Sequence, residues 1–155
     1  MRDGNIAALD EGQVESLWVT EQLGGRTVVK AWNAIGARSF ITKATTAGSP
    51  DRLAIPVAAD SDTDRALGIS LVQDTGFDGF DAGTLAESWR QQPGAPSYCT
   101  NLTGSQLAVA LAATVATRSP RRGDLAVKVI GELMEDTDAD HSEDFFVQLN
   151  RLLYS

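Results

Sequence analysis

Residues 1–11 are polar and turn-like, after which Val14, Leu17, Trp18 and Leu23 recur at near-helical spacing until Gly24-Gly25 stops the run. A helix over residues 13–23 follows. Thr27 to Trp32 is rich in β-branched and aromatic residues and predicts a strand, with Asn33 and Gly36 turning the chain into a short segment over Ala37 to Thr42. Thr45 to Arg52, holding Gly48-Ser-Pro50, reads as a loop. Leu53 to Ala59 predicts a second strand, in which Pro56 removes one ladder donor and so marks an edge or a bulge. Asp60-Ser-Asp-Thr-Asp64 supplies N-cap oxygens for a helix over 62–75, with Ala66, Ile69, Leu71 and Val72 facing inward and Gly76 closing it. Phe77 to Ala82 predicts a third strand, so that residues 53–82 form a right-handed crossover unit of a parallel sheet.

Beyond Gly83 the pattern turns helical: Thr84 to Gln91, a proline-rich loop from Pro93 to Tyr98, then Gly104 to Thr117, Pro120 to Met134 and Ser142 to Leu153. Gln106 to Ala116 is apolar nearly all round, which requires burial on more than one side, within its own domain or against a second subunit. The expected organisation is therefore α/β: a strand-bearing half over residues 1–83 and a helical part over 84–155.

At 155 residues, 43% hydrophobic and 22% charged, the chain has the composition of one soluble folded domain and lies far from the disordered regime. A net charge of −8 argues against a general nucleic-acid binder, because phosphate contacts need a basic surface. The cluster Arg118-Ser-Pro-Arg-Arg122 reads as a solvated turn. The single cysteine, Cys99, excludes an internal disulfide, no run reaches the length of a membrane span, and Met1-Arg-Asp-Gly-Asn lacks a signal-peptide core. These features predict a cytoplasmic protein with no membrane partner.

Two apolar runs end in polar and glycine residues, as buried strands of nucleotide-binding sheets do at their functional ends. Ligands of such sheets sit outside the carboxyl ends of the strands. The candidate cofactor-binding residues are accordingly Asn33, Ala34, Ile35 and Gly36, and the candidate substrate pocket is Asp81, Ala82 and Gly83. Asn33 both donates and accepts, which suits a nicotinamide amide, and it equally suits a turn that bonds its own backbone. Trp89 and Tyr98 flank a rigid loop, where they wall a flat acceptor ring or fill a core. Strand alternation makes Lys30 a snorkelling or solvent-facing side chain.

No catalytic residue is assigned. The chain lacks a nucleophile elbow, and its one histidine, His141, lies in an acidic segment away from any Cys99 motif. Asp60 to Asp64 and Asp136 to Asp140 begin like calcium loops, but Arg65 and His141 replace the needed glycine, so both read as caps and solvated loops, with no metal.

Val28-Val-Lys-Ala-Trp-Asn33, Asp81-Ala-Gly-Thr-Leu85, the stretch Glu87-Ser-Trp-Arg-Gln-Gln-Pro-Gly-Ala-Pro-Ser-Tyr98 and Arg2 to Glu11 together resemble the later part of the deazaflavin-dependent NADP oxidoreductases and their dinucleotide-binding relatives. Thr84 departs from the proline of the family's Asp-Ala-Gly-Pro-Leu. The resemblance implies a Rossmann-like sheet of about three strands in this chain, NADP as cofactor, a small-molecule electron acceptor, and a homodimer built through the helical part. It implies hydride transfer, in which the protein orients two rings and needs no dedicated acid or base. The family's Gly-x-Gly-x-x-Gly turn occurs nowhere in the sequence. The expected protein is thus a truncated oxidoreductase without its pyrophosphate grip, or a non-catalytic oligomerisation or interaction module left after loss of the cofactor site.

Overall fold

The computed structural model describes residues 6–135 and 142–155. In chain order these form α1 (Ala7–Asp10), α2 (Glu15–Gln22), α3 (Ala37–Thr42), β1 (Ala54–Val57), α4 (Asp62–Asp74), β2 (Asp78–Asp81), a 3₁₀ helix (Leu85–Gln91), α5 (Gly104–Ala112), α6 (Ser119–Glu135) and α7 (Glu143–Tyr154). The fold is α/β. β1 and β2 pair in parallel, Ala54 opposite Asp78 and Val57 opposite Asp81, with α4 as the crossover between them. Ser61 caps α4 by accepting from the Asp64 amide at 3.2 Å, and Asp62 and Asp64 place negative charge in its first turn.

The core is small and continuous. Ile55, Val57, Val72 and Phe77 are fully buried, and Val29, Ala31, Trp32, Ile35, Leu53 and Ile69 pack around them. Of the residues expected to face inward from α4, Val72 does so and Ile69 does so in part, whereas Ala66 is exposed and Leu71 is 47% exposed. The buried stripe instead runs through Gly68 and Val72, one turn apart. A Cβ on Gly68 would stand 2.7 Å from a Val29 methyl and 2.8 Å from a Val57 methyl, so the helix lies too close to the sheet there for any larger residue.

The expected strand Thr27 to Trp32 does not form. Its segment touches β1 at one antiparallel bridge, where Lys30 and Ala58 exchange both backbone hydrogen bonds at 2.9 and 3.0 Å. In an antiparallel ladder the next such pair would be Trp32 with Pro56. Pro56 has no N–H to give, and Trp32 turns away with φ 59°. The same edge of β1 is taken up beyond Pro56 by Leu102, whose carbonyl accepts from the Ala54 amide at 2.8 Å, and by a second bridge between Leu53 and Thr103. β1 is an edge of the two-stranded sheet, as Pro56 predicts, and on its free side Pro56 marks the gap between two bridging segments.

Arg52 fastens this unit at its amino end. Its buried guanidinium donates to the carbonyls of Thr45, Gln73 and Phe77 and pairs with Asp78 at 2.8 Å. One side chain thereby joins the loop before β1, the last turn of α4, whose carbonyls have no partner within the helix, and the entry to β2.

In the helical part, α5 opens with a capping box of Thr103 and Gln106 and ends at Ala112, short of the expected Thr117. The turn Val115 to Ser119 leads into α6, whose first turn holds Pro120, a position where the missing N–H costs nothing. Leu107, Ala110 and Leu111 are buried, yet Val109 is 69% exposed, so this helix is covered on one side only. Contacts cross residue 83: Asn33 donates to the Gln91 carbonyl, and Ser16 bonds Ser88 at 2.8 Å. Among the described residues no helix is long and apolar enough to cross a membrane.

Replacing Arg52 with Leu should destabilise the fold by about 2–4 kcal/mol, because it leaves the Thr45 and Phe77 carbonyls without the guanidinium that bonds them both. Urea unfolding checks this; a loss under about 0.5 kcal/mol, the range of neutral surface changes, would contradict it.

Candidate functional site

At the carboxyl ends of β1 and β2 the chain closes on itself through charge. The Asp81 carboxylate accepts from the Gly83 amide at 2.9 Å and meets the Arg65 Nε at 2.8 Å. Arg65 also donates to the Ala59 carbonyl at 2.8 Å and pairs with Asp62. These carboxylates raise the pKa of Arg65, the hydrogen bond to Asp81 contributing most. Asp60 accepts from the Leu85 amide at 2.9 Å and so caps the 3₁₀ helix, while Ala82 donates to Val57 and continues the ladder. Gly83 adopts φ 86°, which only glycine takes without strain, and this turns the chain from β2 into the 3₁₀ helix. Each of Asp81, Ala82 and Gly83 thus has a structural partner.

Asn33, Ala34, Ile35 and Gly36 lie at the opposite end of the strands. The antiparallel direction set by Lys30 and Ala58 carries the chain from the carboxyl end of β1 back toward its start, where Trp32 Nε1 bonds Thr75 at the foot of α4. Asn33 donates to the Gln91 carbonyl at 2.7 Å, and Ala34 accepts from the Cys99 amide at 2.9 Å. Gly36 precedes α3, and Ile35 packs on the core. Ala34 and Ile35 line a cavity of about 10 Å³, room for one water. The structure therefore separates the two groups of candidates: the rule that both lie beyond carboxyl ends requires parallel strands, and this segment runs the other way.

Between α2 and the 3₁₀ helix is a polar interior that the sequence reading passed over. Lys30 is not solvent-facing; its side chain is 9% exposed and its ammonium stands 3.6 Å from the Glu15 carboxylate. Burial lowers the Lys30 pKa, and Glu15 works against that shift. Glu15 also accepts from Gln92. Gln91 is fully buried, and neither polar atom of its carboxamide has a hydrogen-bond partner; the Asn33 side-chain oxygen is likewise unpaired. The helix expected over residues 13–23 contains Glu15, but nothing local marked Glu15, Lys30 or Gln91 as partners.

Trp89 is half-buried in the 3₁₀ helix with the Arg90 guanidinium 5.3 Å from its ring, and Arg90 pairs with Glu87 at 2.8 Å. Tyr98 sits in the following loop near Cys99 and Tyr154. The cavity at Ala34 and Ile35 is not lined by Trp89, Tyr98 or the Asp81 turn. A cavity of about 360 Å³ opens elsewhere, on the helical part, lined by Val109, Ala113, Val115, Arg118, Arg122 and Tyr154 among others; none of the sequence-derived candidates borders it. The acidic stretch Asp136 to Asp140 and His141 lie outside the described residues, and among the described residues no group of side chains is placed to hold a metal ion.

The pyrophosphate of NADP does not fit the residues at the strand ends. Three carboxylates, Asp60, Asp62 and Asp81, gather there, the α4 N-terminus already carries Asp62 and Asp64, and Arg65 is spent on Asp81 and Asp62. A helix N-terminus attracts anions only where its own charge leaves the positive end of the dipole free.

The two tyrosines of the chain, Tyr98 and Tyr154, both have their pKa pushed up to about 12, chiefly by burial and then by the neighbouring Cys99. The folded state thus keeps both phenols protonated after the unfolded chain has lost its protons. Stability they confer is complete below pH 10 and drains away as pH rises toward 12. Tyrosinate absorbance should rise near pH 12 in the folded chain and near pH 10 in urea. A step near 10 with native circular dichroism would contradict this burial.

No family model matches the chain. A stretch of 52 residues is 54% identical to the Escherichia coli (strain K12) protein YjhV and spans 34% of this chain and 38% of that protein. The crystal structure of hypothetical protein SMa0349 from Sinorhizobium meliloti matches 60% of this chain with a TM-score of 0.54 and 26% identity. The chain covers 45% of that molecule, less than half of either relative's length.

Proposed function

We propose that this chain is the carboxyl-side portion of an NAD(P)-dependent oxidoreductase of the deazaflavin-reductase-like class, and that it lacks autonomous dinucleotide binding. Its reaction class would be hydride transfer between NADP(H) and a flat or small-molecule acceptor, in a cytoplasmic homodimer. The supporting observation is the parallel β1–α4–β2 unit, which runs through Asp81-Ala-Gly83 directly into the 3₁₀ helix and the loop to Tyr98, the stretch that bears the family's motifs.

The second reading, a non-catalytic interaction module derived from such an enzyme, is favoured by the closed carboxylate network at the strand ends. Both readings share one expectation for the isolated chain. NADPH fluorescence should stay unchanged as the purified protein is titrated through millimolar cofactor, and a saturable change would overturn the claim of an incomplete site.

A chimera separates the two readings. When this chain replaces the matching part of a parent first shown to bind NADPH, SMa0349 being the one to try, the folded hybrid should bind NADPH saturably if the segment retains its oxidoreductase role. A folded hybrid that ignores NADPH, beside a parent that binds it, would leave the interaction module as the surviving reading.

A further inference from the structure

We infer that the cavity between α5 and the α6–α7 pair is a binding site for a small organic carboxylate with an apolar body, its charge met by Arg118. The inference stands on the lining of the cavity and does not depend on the redox reading.

The cavity follows from how the helices pack. α5 rests on β1, while α6 and α7 rest on each other. Between these two packings a space of about 360 Å³ is left, with Ala110 and Tyr154 buried at its floor and Val109 exposed at its rim. Small-molecule sites run from about 300 to 1,000 Å³ and combine an apolar lining with a few fixed polar groups. Here Leu102, Val109, Ala110, Ala113 and Val115 supply the apolar lining.

The charged side chains of the lining are all of one sign. Arg118, Arg122 and Arg151 border the cavity and no described aspartate or glutamate does, in a chain that carries 21 acids against 13 lysines and arginines. The first turn of α6, which holds Arg122, contains no acid either. Arg122 donates to the Tyr154 carbonyl at 2.8 Å and to Ser155, so the end of the chain accounts for it. Arg151 donates to the Thr100 and Asn101 carbonyls, both at 2.8 Å, which fix its guanidinium without cancelling the charge. Arg118 makes no side-chain hydrogen bond or ion pair among the described residues. The cluster Arg118 to Arg122, which in sequence reads as a solvated turn, thus borders a cavity at both of its ends.

These features select the ligand. The two oxygens of a carboxylate match the fork of a guanidinium that has no other partner, and Arg151 beside it adds to the attraction. A neutral ligand would gain only the apolar contact, a cation would face three arginines, and a bare inorganic anion would leave the apolar lining uncovered. The strand ends present the reverse arrangement, three carboxylates with Arg65 already held by two of them. An organic anion therefore has its place in the helical part of this chain and not beyond β1 and β2.

Calorimetry and NMR on the full chain with octanoate as the probe test the site. Octanoate is expected to saturate within about 10 mM, with amide shifts centred on Ala110, Ala113 and Arg118, whereas acetate and octanol bind at least about tenfold more weakly. Arg118→Gln, at an exposed position without a partner, should stay folded by circular dichroism and bring octanoate down to the level of octanol. Ala113→Phe, which fills the cavity, should abolish binding. Octanol binding as tightly as octanoate, an unaltered octanoate affinity in Arg118→Gln, or shifts gathered at Asn33 or Asp81 would each overturn the inference. So would the absence of saturation up to about 10 mM, or self-association by light scattering that octanoate does not compete with, which would make the cavity a subunit contact. Should Ala113→Phe not fold, the Arg118→Gln comparison decides.

Discussion

The sheet of this protein takes its shape from a hydrogen bond that Pro56 cannot make. On the side facing β2, the backbone groups of β1 are satisfied by a regular parallel ladder. On the other side the donors alternate Ala54, Pro56 and Ala58, and the central one is missing. Two separate segments therefore meet β1 there, one at each side of the gap, each held by a single bridge. A net worth of about 0.5–1.5 kcal/mol per hydrogen bond is enough to decide between continuing a ladder and turning away, when no tertiary contact opposes the turn.

Much else follows from the direction of the Lys30 bridge. Because the segment runs against β1, Asn33 emerges beside the start of the strands, under the loop to Cys99, while Asp81 emerges at their end. Lys30 is carried over α2 and finds the half-exposed Glu15, which draws inward a residue that alternation alone would leave in water. At the amino end of the strands, Arg52 performs the complementary task of collecting carbonyls from three segments, so that the unit is tied at both ends by guanidinium groups, Arg52 and Arg65, rather than by more strands.

The legible part of the fold was the part governed by local pattern. The crossover unit showed in the alternation of a short apolar run, an Asp- and Ser-rich cap, a helix and a second run, and of the cap oxygens Ser61 found its amide in the helix. The face of α4 was less legible, since a glycine leaves no mark in a hydrophobic count and yet Gly68 is where the helix comes nearest the sheet. The first strand was misread because strand propensity at Thr27 to Trp32 says nothing about a neighbour's missing donor at Pro56, far away in sequence. The helix from Gly104 was read too long because the apolar run through Ala116 carries no local stop, while the helix ends at Ala112. Of the candidate site, the residues themselves were visible, but their grouping assumed that all strands point one way.

The placement of both residue groups depends on that direction. Nuclear Overhauser contacts in a uniformly labelled sample test it, because amide protons face each other across an antiparallel bonded pair and do not across a parallel one. A contact between the Lys30 and Ala58 amide protons, with both protected from exchange, is the predicted result. Contacts that step in the same direction along Thr27 to Trp32 and along β1 would contradict it, and would return Asn33 to the same end of the sheet as Asp81.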